Sequence, residues 1–181
     1  MKLETDIRRV ETLAEDVEDR NWEFRSYLKG CDLPSKEIDA IVHALFEEVR
    51  PQIDCGKCAH CCEVLRPVLK PADVKRLAKF LGLPEAEFRS QYVQRYEEEE
   101  GDTFNTQPCP FLKDNRCVVY DVRPDDCRSY PHLQKKDFTQ RLITAINNCS
   151  VCPIVFNVFE RLKQDLWHED QRNAGEGWAE S

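Results

Sequence analysis

The sequence lacks the residues and motifs that mark several common classes of enzyme. Its 181 residues contain only 6 glycines, with no Walker loop, no G-x-G-x-x-G fingerprint and no recognisable Ser-His-Asp arrangement. Nucleotide-dependent chemistry and hydrolysis therefore have no support in the sequence. We therefore assign no catalytic residue from the sequence.

The chain also lacks an excess of positive charge, since its net charge is −8. Sequence-independent binding of nucleic acid requires Lys and Arg to displace counterions from phosphates, so we expect no nucleic-acid partner. The stretch LAKFLGLPEAEF around Gly82 has the spacing of a helix-turn-helix. Its second helix would run into Glu97 to Glu100, which would repel phosphates, and we interpret the stretch as two packed helices.

Long apolar runs are scarce. The first residues, MKLETDIRRVE, are charged throughout and show no apolar export segment. The longest uncharged stretch, Leu142 to Phe159, includes Asn147, Asn148 and Pro153, which favour buried protein over a membrane span. We therefore expect a cytoplasmic protein with no membrane segment.

Apolar residues recur at helical spacing in the N-terminal third of the chain. From Leu3 to Leu28 they follow a heptad-like pattern that predicts one long helix, interrupted only by Asn21. Two interpretations stand: the helix packs on its neighbour, which we prefer, or it forms a homodimer with Asn21 setting the register. With a second helix capped by Ser35, residues 1–50 are predicted to form a helical hairpin.

Residues 51–170 are predicted to form a cysteine-cluster domain, followed by a frayed tail at 171–181. Helix starts are indicated at Pro71, near Pro84 and at Pro153. A short hairpin is expected around Asp114 and Asn115, a short helix after Pro124, and a solvated linker from Glu97 through Asn105. The predicted fold is mainly α, with a small irregular metal-stapled core between the N-terminal hairpin and a C-terminal helix.

The 10 cysteines are the unusual feature of the composition. Disulfides are rare in a reducing cytosol, so a dense set of cysteines indicates a metal site or a redox site. The spacing C-x2-C-x2-C lets Cys55, Cys58 and Cys61 turn toward one metal centre. Cys62 adds a neighbour whose side chain should diverge from that of Cys61, which suggests two centres, or opposite edges of one.

Further thiols follow in turns and at helix starts, where amide donors stabilise thiolates. These additional candidate ligands are Cys109, Cys117, Cys127, Cys149 and Cys152. Nine candidates exceed the four that one tetrahedral site can hold. Cys31 has no spaced partner, and we interpret it as a small buried apolar residue.

Two separated blocks, CGKCAHCC and PCPFLKDNRCVVYDVRPDDCRSYP, resemble the YkgJ-type cysteine-cluster family over about residues 51–153. Its members are described as zinc- or iron-chelating and are often named iron-sulfur oxidoreductases. The resemblance implies metal binding by seven ligands, with Cys149 or Cys152 completing eight. These seven are Cys55, Cys58, Cys61, Cys62, Cys109, Cys117 and Cys127.

The spacing favours an iron-sulfur cluster slightly over Zn²⁺. The C-x2-C-x2-C run and the Cys-Pro pairs at 109–110 and 152–153 are typical of bacterial ferredoxins, whereas structural zinc usually uses paired C-x2-C knuckles. Arg128 and His60 are the residues we expect to support the sulfurs through hydrogen bonds.

Two classes of function remain open. The first is a redox or electron-transfer protein, such as a component of an iron-sulfur oxidoreductase, which meets a redox partner. The second is a zinc-stabilised adaptor without catalysis, in which the metal replaces an apolar core.

Overall fold

The computed structural model describes residues 2–96 and 101–167, which form two compact units. The helical unit contains the described residues of Met1–Ile53 and Pro131–Ser181, and the cysteine unit is Asp54–Tyr130. The boundary predicted after residue 50 lies close to Ile53, but the chain from Pro131 onward groups with the N-terminal helices. The predicted tail at 171–181 lies outside the described residues.

The described residues are mainly helical, as predicted. The helices are α1 Ile7–Asp16, α2 Glu18–Gly30, α3 Ser35–Val49, α4 Cys55–Cys58, α5 His60–Val64, α6 Pro71–Leu81, α7 Glu85–Tyr92, α8 Asp125–Ser129, α9 Leu142–Cys149 and α10 Pro153–Trp167. The strands are β1 Val93–Tyr96, β2 Gly101–Phe104, β3 Leu112–Lys113 and β4 Arg116–Cys117. Three single 3-10 turns cover Arg50–Gln52, Tyr120–Val122 and Phe138–Gln140.

The N-terminal helix is broken, which corrects the prediction of one continuous helix. Val17 leaves helical geometry at φ −107° and ψ 11°, so α1 ends before it and α2 begins after it. Asp6 caps α1 by accepting hydrogen bonds from the backbone N–H groups of Arg8 and Arg9. On either side of the break, Val10 and Ala14 of α1 and Phe24 and Leu28 of α2 are buried.

The core of the helical unit is built from aromatic and aliphatic side chains. Phe159 on α10 packs edge to face against Phe24, with ring centroids 5.5 Å apart. Asn21 is only 1% exposed, and its side-chain oxygen accepts a 2.7 Å hydrogen bond from Lys163. Asn21 thus has a partner inside its own unit, which favours the packed-helix interpretation; dimerisation stays a prediction.

The cysteine unit has a smaller apolar core beneath α6 and α7. Val74, Leu77 and Phe88 are fully buried there, together with Phe104 and Phe111. Gly82 ends α6 in the left-handed region, at φ 69°, where a Cβ atom would be strained. Pro71 is the first residue of α6, as its fixed φ predicts.

Two antiparallel hairpins complete the cysteine unit. β3 and β4 enclose Asp114 and Asn115, whose φ values of 48° and 58° suit the tight turn predicted there. β1 pairs with β2, so the predicted linker is wrong from Gly101 to Phe104, while its first part, 97–100, lies outside the described residues. Burial of Thr103 and Phe104 explains the difference, because these residues pack into the unit instead of facing water.

No single described helix is long and apolar enough to cross a membrane. α9 and α10 together have the length and apolar composition of a span, but the pair is bent by 117°.

Candidate metal centre

The first cysteine block folds into two very short helices around a reversal at Ala59. Asp54 caps α4 by accepting a 2.9 Å hydrogen bond from the N–H of Gly56. Ala59 adopts a left-handed φ of 52° and ends α4, after which α5 starts a new direction. The reversal brings four cysteines onto two adjoining turns, with Cys55 exposed and the other three half-buried.

Backbone hydrogen bonds bring the second block against the first. The N–H of Cys109 donates to the carbonyl of Cys62 at 2.9 Å, although 47 residues separate them along the chain. The N–H of Leu112 donates to the carbonyl of Cys109, and Leu112 faces Cys117 across the β3–β4 pair. Cys62, Cys109 and Cys117 are therefore neighbours by backbone geometry alone.

Cys127 reaches the same region on α8. The helix is fixed at its start, because the N–H of Asp125 donates to the Asp73 carboxylate at 3.0 Å. The Asp126 carboxylate accepts from the N–H of Val68 at 3.2 Å. Two carboxylates therefore fix the short helix that carries the last cysteine of the unit.

Electrostatics show that four thiols form one mutually interacting group, which we call the thiol quartet: Cys62, Cys109, Cys117 and Cys127. Burial is the main cause that raises the pKa of Cys109 to about 11 and that of Cys127 to about 12. Negative charge on the other quartet thiols raises these pKa values further, and every pair in the quartet interacts in this way. Removing the thiols from water is costly for their charged forms unless a cation compensates.

Cys62 is the exception within the quartet. A hydrogen bond with the thiol of Cys61 lowers the pKa of Cys62 to about 7, against the opposing effect of burial. We expected these two side chains to diverge, but their thiols are in hydrogen-bond contact. On a helical turn neighbouring side chains lie about 100° apart, which leaves room for this hydrogen bond.

Backbone amides point at several sulfurs of the unit. N–H groups two residues downstream donate to Cys58, Cys109 and Cys117, from His60, Phe111 and Val119 respectively. Each of these hydrogen bonds lowers the pKa of the thiol that accepts it, although burial outweighs the effect. Amide hydrogen bonds to sulfur stabilise thiolates and tune the metal centres that thiolates hold.

His60 supports a sulfur through its backbone N–H, which donates to Cys58, and support of the sulfurs by the side chains of His60 and Arg128 stays a prediction. The ring nitrogen Nδ1 of His60 lies 3.1 Å from the Glu63 carboxylate. Arg128 donates to the backbone carbonyls of Asp121 and Arg123. Arg123 is the cation whose charge lowers the pKa of Cys117.

The remaining cysteines belong to the helical unit. Cys149 is fully buried, donates its thiol to the carbonyl of Ala145 at 3.3 Å, and has a pKa raised chiefly by burial. Cys152 is also buried, in the residue before α10. Cys31 is half-buried and donates to the carbonyl of Leu28. None of the ten cysteines forms a disulfide.

The donor chemistry of the quartet fits Zn²⁺ or iron. Both metals accept four thiolates, and a bound cation would offset the charge that burial makes costly. Across residues 2–96 and 101–167, no three His, Cys, Asp or Glu side chains already stand in a coordinating arrangement. Binding would therefore require the quartet thiols to lose protons and draw together.

Comparison with known proteins agrees with the sequence resemblance. Residues 54–152, more than half of the chain, match the model of the CxxCxxCC family, described as a zinc- or iron-chelating domain. The chain belongs to the CxxCxxCC family. Membership supports metal binding by this CxxCxxCC protein and leaves the choice between zinc and iron open.

One relative extends the comparison. An uncharacterized protein of Methanocaldococcus jannaschii is 32% identical over 81 residues, which are 43% of either chain. The chain thus spans less than half the length of this relative. No solved structure matches this chain significantly.

Proposed function

We propose that this protein holds an iron-sulfur cluster on cysteine thiolates and serves in electron transfer to a protein partner. The observation that carries the proposal is the thiol quartet, in which every pair of thiols interacts through charge. The bonded backbones of Cys62 and Cys109 provide an independent geometric basis for the same grouping.

The surroundings of the quartet support iron-sulfur chemistry. Amide donors to cysteine sulfur are one of the means by which proteins set the reduction potential of a cluster. A bound cluster would supply one-electron transfer. The protein's own contribution would be to hold the thiolates, donate hydrogen bonds to them and place Arg123 beside Cys117.

The site also lies close to the protein surface, within reach of a redox partner. Cys117 is half-buried, and the nearby residues Val118 and Tyr120 are 45% and 56% exposed. Apolar groups exposed beside a redox centre suit a transient protein contact. A reducing compartment such as the cytoplasm follows from the same proposal, because the thiols must remain available as ligands.

A second candidate, a zinc-stabilised adaptor, is favoured by the short elements around the cysteines. The helices α4, α5 and α8 have only four or five residues, and the strands β3 and β4 have two. Elements of this length are not stable by themselves. In small metal domains the free energy of metal binding stabilises such a fold.

Metal analysis distinguishes the two candidates. The full chain should be purified without oxygen, and its iron, acid-labile sulfide and zinc measured beside its absorption spectrum before and after dithionite. The iron-sulfur proposal expects a brown protein with equal amounts of iron and sulfide and with absorption that dithionite bleaches. Colourless protein that contains zinc would contradict it in favour of the adaptor, and protein without either metal would contradict both.

A matched pair of variants ties the metal to the quartet. Cys109→Ser removes one quartet thiol, whereas Cys31→Ser removes a thiol of the helical unit. The proposal expects metal loss only in Cys109→Ser.

A further inference from the structure

Arginine side chains hold the chain between Cys117 and Cys127 at four consecutive carbonyl oxygens. The hydrogen bonds run from Arg123 to Tyr120 at 2.7 Å, from Arg128 to Asp121, from Arg76 to Val122 at 3.2 Å, and from both Arg76 and Arg128 to Arg123 at 3.0 Å. Arg123 also stacks over the ring of Tyr120, 3.7 Å from its centroid. Arginine side chains thus add to the backbone hydrogen bonds of the 3-10 turn at Tyr120–Val122 in fixing the connection between two thiols of the quartet.

Arg76 differs from the other two arginines because it comes from another element, α6. Its guanidinium lies 2.5 Å from the Asp73 carboxylate and 3.1 Å from that of Asp125. Asp73 is completely buried and also accepts the N–H groups of Lys70 and Asp125. One buried carboxylate therefore links Arg76 to the first residue of α8, the helix that carries Cys127.

α6 is anchored in the apolar core of the cysteine unit, against which Cys109 and Cys117 also pack. Val74 and Leu77, which flank Arg76 in the sequence, are fully buried in the apolar core. Arg76 thereby connects that core to the chain between the two thiols.

We propose that Arg76 is a positioning residue of the metal centre, whose guanidinium holds the segment between Cys117 and Cys127 in the conformation that presents both sulfurs. The proposal rests on metal binding by the thiol quartet and adds a residue outside both cysteine blocks. Residues that orient metal ligands typically contribute ten- to a hundredfold to metal affinity.

The geometry predicts that arginine is needed at this position and that lysine cannot replace it. Arg76 serves two carbonyls and two carboxylates from one planar group. The ammonium group of lysine is a single point with a different reach, so it can keep the ion pair with Asp73 but cannot serve every acceptor.

The test compares three variants of the full chain, purified without oxygen with the metal that they carry. Arg76→Gln removes the charge and the fork, and Arg76→Lys keeps the charge. Arg89→Gln is the matched control, because Arg89 also pairs with two carboxylates of the cysteine unit, Asp102 at 2.7 Å and Glu85 at 3.3 Å.

The measured quantities are metal per chain, the rate of metal release to a chelator, the absorption spectrum and the thermal midpoint. We expect both Arg76 variants to release metal about ten- to a hundredfold faster than wild type. Arg89→Gln should release metal at the wild-type rate even where its thermal midpoint falls.

The outcomes separate this proposal from the proposed function. If Arg76→Gln does not fold, the folded Arg76→Lys variant decides, and a wild-type release rate and spectrum in it would overturn the positioning role. Rescue of the release rate by lysine would equally overturn it, since charge alone would then suffice. Wild-type protein that carries neither iron nor zinc would instead refute the proposed function.

Discussion

The two units of this protein use opposite means to order their cysteines. In the helical unit, Cys149 lies within a core of long helices, where its thiol bonds to its own helix and its pKa is raised. In the cysteine unit, seven thiols lie on helices and strands of two to five residues, or in the turns between them. The same residue type is therefore packing material in one unit and a candidate ligand in the other.

The comparison shows that burial and usefulness for metal binding are separate properties of a thiol. Burial is the main cause that raises the pKa values of Cys109 and Cys127 in the quartet and of Cys149 in the helical unit. In the quartet all four thiols act on one another while amide donors and Arg123 counter the cost, whereas Cys149 interacts with a single other thiol, that of Cys152. The candidate ligands thus differ from the other cysteines by the number of thiols grouped around them, more than by their exposure to water.

The largest expected effect follows from removing a thiol of the quartet. Cys109→Ser should lose its metal and unfold the cysteine unit, because metal affinity there is folding free energy, which for structural zinc is roughly 10–16 kcal/mol. Elemental analysis and amide hydrogen exchange measure both effects. Cys149→Ser should retain wild-type metal content, and metal loss in that variant would remove the distinction between the units.

The second largest effect is expected from acid, which should release metal from the cysteine unit. Metal binding requires thiolates, so lowering the pH protonates the ligands and releases the metal. Below the pKa of a ligand thiol, metal affinity falls about tenfold per pH unit for each thiol that takes up a proton. Cys62, whose pKa is about 7, should be the last quartet thiol to protonate as the pH falls. Metal release and far-UV circular dichroism can be followed from pH 8 to pH 4. Metal content independent of pH across this range would contradict thiolate ligation.

An aromatic truncation tests the apolar side of the comparison. Phe159→Ala should cost about 3–5 kcal/mol of unfolding free energy, because the ring is buried against Phe24. Denaturant unfolding measures the loss. Phe80→Ala is the control, since Phe80 is 53% exposed and its removal should change stability by less than about 0.5 kcal/mol. Equal effects of the two substitutions would mean that the helical core is not as described.

The smallest expected effect concerns the buried ammonium of the helical unit. Asn21→Ala removes a 2.7 Å hydrogen bond to Lys163 and should cost about 1–3 kcal/mol. Metal content should be unchanged. Ser26→Ala, at an exposed position of the same helix, serves as the control in denaturant unfolding. A stability equal to that of Ser26→Ala would show that the hydrogen bond contributes nothing.

Local signals in the sequence predict much of this fold. Proline places the starts of α6 and α10 at Pro71 and Pro153, and Asp114 with Asn115 mark the tight hairpin. The β1–β2 hairpin escapes prediction because its burial depends on distant contacts. One of these is the hydrogen bond from the Thr103 hydroxyl to the carbonyl of Pro67.

In the candidate site, too, local spacing predicts some residues, and others depend on tertiary contacts. Spacing alone predicts Cys55, Cys58 and Cys61 as a ligand run, and both that run and the second centre expected for it stay predictions. The grouping of Cys62 with Cys109 depends on a tertiary hydrogen bond that no local pattern announces. Arg76 is missed for the same reason, because its partners lie 46 and 47 residues away along the chain.

The most direct test is an anomalous difference map from crystals of the protein purified with its metal, recorded at the iron and zinc absorption edges. We expect a metal peak bonded to the sulfurs of Cys62, Cys109, Cys117 and Cys127, at about 2.3 Å from each bonded sulfur. A metal peak that touches none of these four sulfurs would contradict this prediction.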